Sequence, residues 1–292
     1  DDPADRQTGR PDRPHRHQEL SLSQSFFRCA AITVCCLTLV STAGCRHSPV
    51  VASSAADATA HQASGSSPPL PPLFDDIERR TFDYFWDTTD ASNGLAPDRY
   101  PEQPFSSIAA IGFALTAYPI GAERAWVTRE QAVERTLKTL RFLRDAPSGP
   151  DETGKAGYRG FYYHFLDMRS GLRFGQWVEL SSVDTGLLMM GVLFAQSYYD
   201  RDDAGEREIR DIADRLYRRI EWDWMQPRKP LIAMGWHPEK GFIDHHWRGY
   251  NEAMLVYVLA LGSPTHPVQP EAWQAWTRTY DRNWGELQGQ PH

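Results

Sequence analysis

The chain has 292 residues, a net charge of −7 with acidic and basic residues interspersed, and 12% aromatic residues. No basic stripe is present that would serve a nucleic-acid partner. All four cysteines, Cys29, Cys35, Cys36 and Cys45, precede residue 46, so the rest of the chain has neither a disulfide framework nor a cysteine metal site.

Residues 1–45 read as an export signal. Arg10, Arg13, Arg16 and Arg28 make a basic front, and Ala30–Val40 form an apolar run too short for a stable bilayer span. Small residues then lead to Cys45, the pattern of a secretory leader. The ending Thr42-Ala43-Gly44-Cys45 resembles the lipobox of bacterial lipoproteins. That resemblance implies lipidation at Cys45, membrane attachment through the lipid, and a periplasmic or outer-membrane location; an ordinary signal peptide is the alternative. Residues 46–72 are Ser, Ala and Pro with few large apolar groups, the composition of a disordered tether.

The body, residues 73–292, alternates two kinds of predicted helix. Phe74–Thr88 is amphipathic, with Phe74, Ile77, Phe82, Phe85 and Trp86 near helical spacing. Ser106–Ile120 is apolar nearly all round, the mark of a helix buried on every side. Thr128–Asp145 is amphipathic again and opens with a Thr128/Gln131 capping box. The alternation repeats in Leu180–Tyr199 (buried) and Ala204–Ile220 (amphipathic), then in Tyr250–Leu261 (buried) and Pro270–Asp281 (surface). Three cycles about 70 residues apart are an internal repeat of helical hairpins. The fold class is therefore all-α: inner helices inside a ring of outer ones, an (α/α)6 toroid, incomplete here at about seven helices. Its open edge should expose apolar helix faces. A shorter helical array is the alternative.

Chemistry is expected in the loops entering the buried helices. Gly157–Gly175 alternates aromatics around a Gly turn, the pattern of a short β-hairpin. Trp222–Gly249 carries four Trp and three His. Loops of this length are functional or disordered, and their Trp density favours cleft walls. Acidic residues stand at these entries: Asp167, Glu179, Asp184 and Glu252. Each has a structural explanation as a helix cap. Together they offer the two carboxyl groups that glycoside cleavage needs, one protonated and one ionised. Glu252, beside an apolar helix, is expected in surroundings that raise its pKa. Asp184-Thr185-Gly186 matches the aspartic-protease tripeptide but lies in a predicted helix and occurs once. His237, His245, His246 and Asp244 lack the spacing of a metal motif. No metal or cofactor is expected.

Several of these stretches are similar to the glycoamylase-like proteins of glycoside hydrolase family 144. They are Ser106–Phe113 (SSIAAIGF), Gly160–Asp167 (GFYYHFLD), Glu179–Thr185 (ELSSVDT), Gly249–Met254 (GYNEAM) and Leu261–Pro267 (LGSPTHP). The similarity runs from about Leu73 to Trp284. It implies an (α/α)6 toroid and inverting endo-hydrolysis of β-1,2-glucan, with an oligo- or polysaccharide as partner. It further implies that Asp184 and Glu252 are the functional acids, Glu252 donating a proton and Asp184 handling water, with Glu179 and Asp167 nearby. His164, Tyr163, Trp236, Trp247, Tyr250 and Asn251 are then candidates for holding sugar. Family members continue well past the last residue here, which implies a chain lacking its C-terminal part. Two other readings stay open: a lipoprotein that binds glycan without cutting it, and a helical-toroid lyase using His164 with Arg159, Arg169 and Arg173.

Overall fold

The computed structural model describes residues 71–280 and the strand residues 286–287 and 290–291, all within the compact unit Ser66–His292. The expected export signal, Cys45 and nearly all of the linker lie outside the described residues.

The described residues form seven helices: α1 (Pro72–Thr88), α2 (Ile108–Glu123), α3 (Arg129–Asp145), α4 (Ser182–Tyr198), α5 (Ala204–Arg218), α6 (Met254–Leu261) and α7 (Glu271–Thr277). Local chemistry fixes their ends. The Thr128 hydroxyl accepts from Gln131 N–H at 3.2 Å, and the Gln131 side chain accepts from Thr128 N–H at 2.8 Å, so the capping box forms. Asp203 caps α5 through Glu206 N–H at 2.9 Å, while Arg215 and Arg218 occupy its last turn, where the helix dipole favours cations.

The helices form two layers. α2, α4 and α6 are neighbours in turn; α1 and α3 back α2, and α5 packs on both α3 and α4. α7 meets α6 through the stacked rings of Tyr257 and Trp276 at 5.5 Å. The α2–α4 crossing is close enough to exclude side chains: a β-carbon on Gly191 would lie 2.1 Å from the Gly112 carbonyl oxygen. The inner helices are not buried on every side. Phe113, 54% exposed, and Ile120 of α2, Met190 and Phe194 of α4, and Met254 and Val258 of α6 form a stripe open to solvent. The outer layer covers the opposite sides of α2 and α4, and no described residue covers this one.

Between helices run short strands, β1 (Phe105–Ser107), β2 (Gly157–Tyr158), β3 (Phe161–Tyr162), β4 (Phe165–Asp167), β5 (Leu180–Ser181), β6 (Gly235–His237) and β7 (Gly241–Phe242), and after α7 come β8 (Glu286–Leu287) and β9 (Gln290–Pro291), which pair with each other. The Gly157–Gly175 loop contains the expected hairpin as β2–β3, with Arg159 (φ 52°) and Gly160 (φ 84°) at its tip. β1 pairs with β4, and β5 with β6 and β7. A bridge between Tyr163 and Leu180 ties the β4 segment to β5. β1 leads directly into α2, and β5 directly into α4. The strands therefore cluster at the N-terminal ends of the inner helices.

α6 begins at Met254, not Tyr250. Gly249 adopts φ 77°, and the Asn251 side chain accepts from Ala253 N–H at 3.1 Å, a local turn that competes with helix.

One buried ion pair links the outer helices. Arg129 Nε and Nη2 reach Glu206 Oε1 and Oε2 at 2.6 and 2.9 Å, and the Glu206 side chain is 1% exposed. Glu206→Gln strands the half-buried guanidinium and is expected to cost about 3 kcal/mol in urea unfolding at pH 7. The Arg129 hydrogen bond holds the Glu206 carboxyl below its ordinary value. Its contribution is therefore complete above the unfolded-state value of about 4.3 and is lost as pH falls through the lower folded value. The deficit of the variant should shrink in that acid window; a deficit unchanged by acid contradicts the assignment.

Candidate active site

The strand cluster brings together three side chains from separate stretches: His164, Glu179 and Asp184. Their ligand-type atoms all lie within 4.8 Å of one another. Backbone pairing does the positioning. His164 N–H donates to the Glu179 carbonyl at 2.9 Å, and the His164 carbonyl accepts from Ile108 N–H, the first residue of α2, at 3.1 Å. Asp184 sits in the first turn of α4, where its backbone N–H donates to the capping Ser181 hydroxyl at 3.2 Å.

The imidazole stands between two carboxyl groups. His164 Nδ1 is 2.9 Å from Glu179 Oε1, and Nε2 is 3.5 Å from Asp184 Oδ1. The Ser181 hydroxyl donates to Asp184 Oδ2 at 2.6 Å. The His164 ring stacks on Phe165 with centroids 3.8 Å apart. The three groups titrate differently. Burial pushes the Asp184 carboxyl above its ordinary value, against the His164 charge and the Ser181 hydrogen bond. Burial also acts on Glu179, but the hydrogen bond and charge of His164, with His237 beyond, outweigh it and hold that carboxyl low. Burial opposes a charge on His164, yet its bond to Glu179 and the field of Asp184 raise it overall. One raised and one lowered carboxyl side by side is the arrangement that divides acid from base.

Among the described residues this is the one grouping of His, Cys, Asp and Glu that meets the spacing of a shared ion. The ring aims its two nitrogens at two different carboxyls, whereas a single ion would take one nitrogen. The geometry is that of an imidazole hydrogen-bonded to Glu179 and facing Asp184.

A buried arginine braces the loop that carries Glu179. Arg173, whose side chain is 3% exposed, reaches Glu239 at 2.6 Å and the Val178 carbonyl at 2.8 Å, and lies over the Tyr163 ring. Glu239 sits in the turn of the β6–β7 hairpin, so the Glu179 loop and that hairpin are clamped together. Next to the cluster Trp177 is 61% exposed and 5.7 Å from Phe165. It is an aromatic face open to a sugar ring.

The other expected site residues divide. Glu252 is exposed on the turn before α6, outside the apolar surroundings expected for it. Asn251 spends its side chain on that turn, accepting from Ala253 N–H and Trp276 Nε1 and donating to the Arg248 carbonyl. Tyr250 is exposed and meets Tyr280 edge-on. Trp247 is half-buried and donates to the Ser182 hydroxyl at 2.9 Å. Trp236 packs between Tyr158 and Trp224. Tyr163 is 0% exposed, a core ring under Arg173 and closed to solvent. Asp167 accepts from Ser170 N–H at 2.8 Å and Arg169 N–H at 3.1 Å, closing its own turn, and these bonds, the Ser170 one first, hold its carboxyl low. Near Asn251, a cavity of about 490 Å³ is lined by Arg228, Met234, His245, His246 and Arg248. It does not include the His164 cluster.

Sequence reading missed Trp177, although it stands two residues before Glu179, and Ser181, the hydroxyl that orients Asp184. Two of the three arginines offered for a lyase pocket are otherwise engaged: Arg173 is buried on Glu239, and Arg159 pairs with Glu221. Asp244 pairs with Arg228, which removes it from the His245/His246 pair as a metal ligand.

Comparison with known proteins agrees with the motifs. Residues 244–292 match the glycoamylase family model. The exo-β-1,2-glucooligosaccharide sophorohydrolase of Parabacteroides distasonis is 28% identical over 231 residues, 74% of this chain and 31% of that protein. A solved glucoamylase-like protein of Bacteroides fragilis superposes with a TM-score of 0.68 at 28% identity, covering 78% of this chain and 56% of its own. The endo-β-1,2-glucanase of Chitinophaga pinensis, solved with sophorotriose and glucose, gives a TM-score of 0.66 at 25% identity over 77% and 55%. The chain thus spans about a third of the sophorohydrolase and about half of each solved relative. The likeness to glycoamylase-like proteins carried by the motifs holds in family match, in sequence and in fold.

Proposed function

We propose that this chain carries the acid–base site of a glycoside hydrolase acting on a β-linked glucan, with β-1,2-glucan as the substrate and internal bonds as the target. The observation that carries the reading is the pair of carboxyls about His164: a buried Asp184 that burial pushes above its ordinary value, beside a Glu179 held low by its bond to His164. Asp184 is assigned to protonate the leaving glycosidic oxygen, and Trp177 to stack on a sugar ring next to it. This reverses the expectation that Glu252 donates the proton.

The two carboxyls about His164 are too close to act alone as an inverting pair, which needs about 6.5–9.5 Å between carboxyls to admit water. In an inverting reaction the water-activating carboxylate therefore comes from elsewhere, and Glu252 on the solvent-exposed turn is the candidate. The helical hairpins are read as part of an α/α toroid with the cleft at the N-terminal ends of its inner helices. Export, lipidation at Cys45 and a periplasmic or outer-membrane location belong to the same proposal, since a polymeric glucan is met outside the cytoplasm.

The test is incubation of the purified chain with linear β-1,2-glucan, followed by measurement of reducing ends and product anomer. Short sophoro-oligosaccharides released with inverted configuration, and lost in Glu252→Gln, support the full reading. Glucan bound without product would favour a binding lipoprotein. Products with unsaturated ends would favour a lyase.

A further inference from the structure

Resting on that hydrolase reading, we propose that His164 is a positioning residue: as an imidazolium it donates from Nδ1 to Glu179 and keeps that carboxyl ionised, while Nε2 faces Asp184 without a hydrogen bond and leaves Asp184 to be the carboxyl that takes up a proton. The geometry is unsymmetrical in the direction this requires. Nδ1 lies at full hydrogen-bond distance from Glu179, 2.9 Å, as for a charge-assisted bond to a carboxylate. Nε2 lies 3.5 Å from Asp184 Oδ1, a looser approach that leaves this oxygen room for a proton of its own. The other Asp184 oxygen is occupied, since Oδ2 accepts from Ser181 at 2.6 Å. Oδ1 is therefore the Asp184 oxygen that faces the imidazole.

The ring cannot easily turn away. It is stacked on Phe165, and Phe165 packs on Phe105 with centroids 4.4 Å apart. Its backbone is pinned at both ends, to Glu179 and to Ile108. The charged groups facing it are Glu179 from the segment before β5, Asp184 from α4 and Asp98 from the segment before β1, with His237 of β6 beyond Glu179. The three groups acting directly on the ring are carboxyls, which favour the doubly protonated ring.

Imidazole nitrogen NMR on the full chain, uniformly labelled in histidine, tests this whether or not the protein hydrolyses glucan. His164→Gln assigns the signal by its disappearance. Both ring nitrogens of His164 should show imidazolium shifts at pH 7, with a titration midpoint above the ordinary value of about 6.5. Glu179→Gln should lower that midpoint by about one pH unit or more. A neutral ring at pH 7, or a midpoint indifferent to Glu179→Gln, overturns the proposal. Where the wild type releases reducing ends, His164→Gln should lower kcat at least ~10-fold with KM within about 2-fold. Its pH optimum should move upward, because both carboxyls lose a neighbouring positive charge. Lower activity at an unchanged optimum also overturns the proposal. A wild type without hydrolysis, together with an imidazolium that responds to Glu179→Gln, overturns the hydrolase reading and leaves the His164–Glu179 bond standing.

Discussion

Asp184→Asn is expected to reduce release of reducing ends from β-1,2-glucan by about 10³-fold, in kcat rather than KM, the scale of losing a positioned general acid. Burial pushes the Asp184 carboxyl above its ordinary value, so the native fold penalises its charge. Asn has nearly the same shape and no charge, and its side-chain oxygen can still accept from the Ser181 hydroxyl. Folding should therefore be preserved. Above the ordinary carboxyl value the variant should be at least as stable as wild type, since the wild-type group must ionise in a site that penalises charge. Thermal melts at pH 8 read that arm, and a reducing-sugar assay reads the other. Activity within a few-fold of wild type would take proton donation away from Asp184 and return it to Glu252. A collapse of stability would mean that Asp184 serves chiefly as a structural cap.

Gly191→Val should give the largest loss of stability, about 3 kcal/mol or more in urea unfolding. The added β-carbon would sit 2.1 Å from the Gly112 carbonyl oxygen and 2.7 Å from its Cα, both backbone atoms of α2. No rotamer change relieves a collision of that kind. The helices must move apart and give up contacts along the whole crossing, so the effect should reach or exceed the usual range for overpacking. Gly112→Ala should behave alike, because its β-carbon would meet the Leu187 carbonyl oxygen at 2.5 Å. A change below about 1 kcal/mol for either variant would mean that α2 and α4 do not cross as described.

The helical framework was legible because it rests on short-range signals. Apolar spacing gave seven helices in their observed order, and Thr128 with Gln131 marked the start of α3 at the correct residue. The start of α6 was misplaced because Tyr250-Asn251-Glu252-Ala253 runs smoothly into Met254–Leu261 in apolar pattern, while the decisive features are the φ of Gly249 and the Asn251 side chain. Asp167 could have been read better: an Asp followed three residues later by Ser-Gly is a turn signal, and here the carboxylate closes that turn. The importance of His164 could not be read from spacing. Its partners lie 15 and 20 residues further on, and the bridge between Tyr163 and Leu180 brings them together. Apolar pattern also failed to show that Phe113 and Met190 face solvent, because a greasy helix looks alike whichever side is left bare.

The His164 cluster is assembled where strands hand over to inner helices, β1 into α2 and β5 into α4, and each handover belongs to a different cycle of the repeat. Glu179 comes from the segment before β5 and Asp184 from the first turn of α4, and the His164 carbonyl is bonded to Ile108 at the start of α2. Lengthening or recutting a single junction can remould the surroundings of His164, while the glycine-tight contact of α2 with α4 goes on holding the body together.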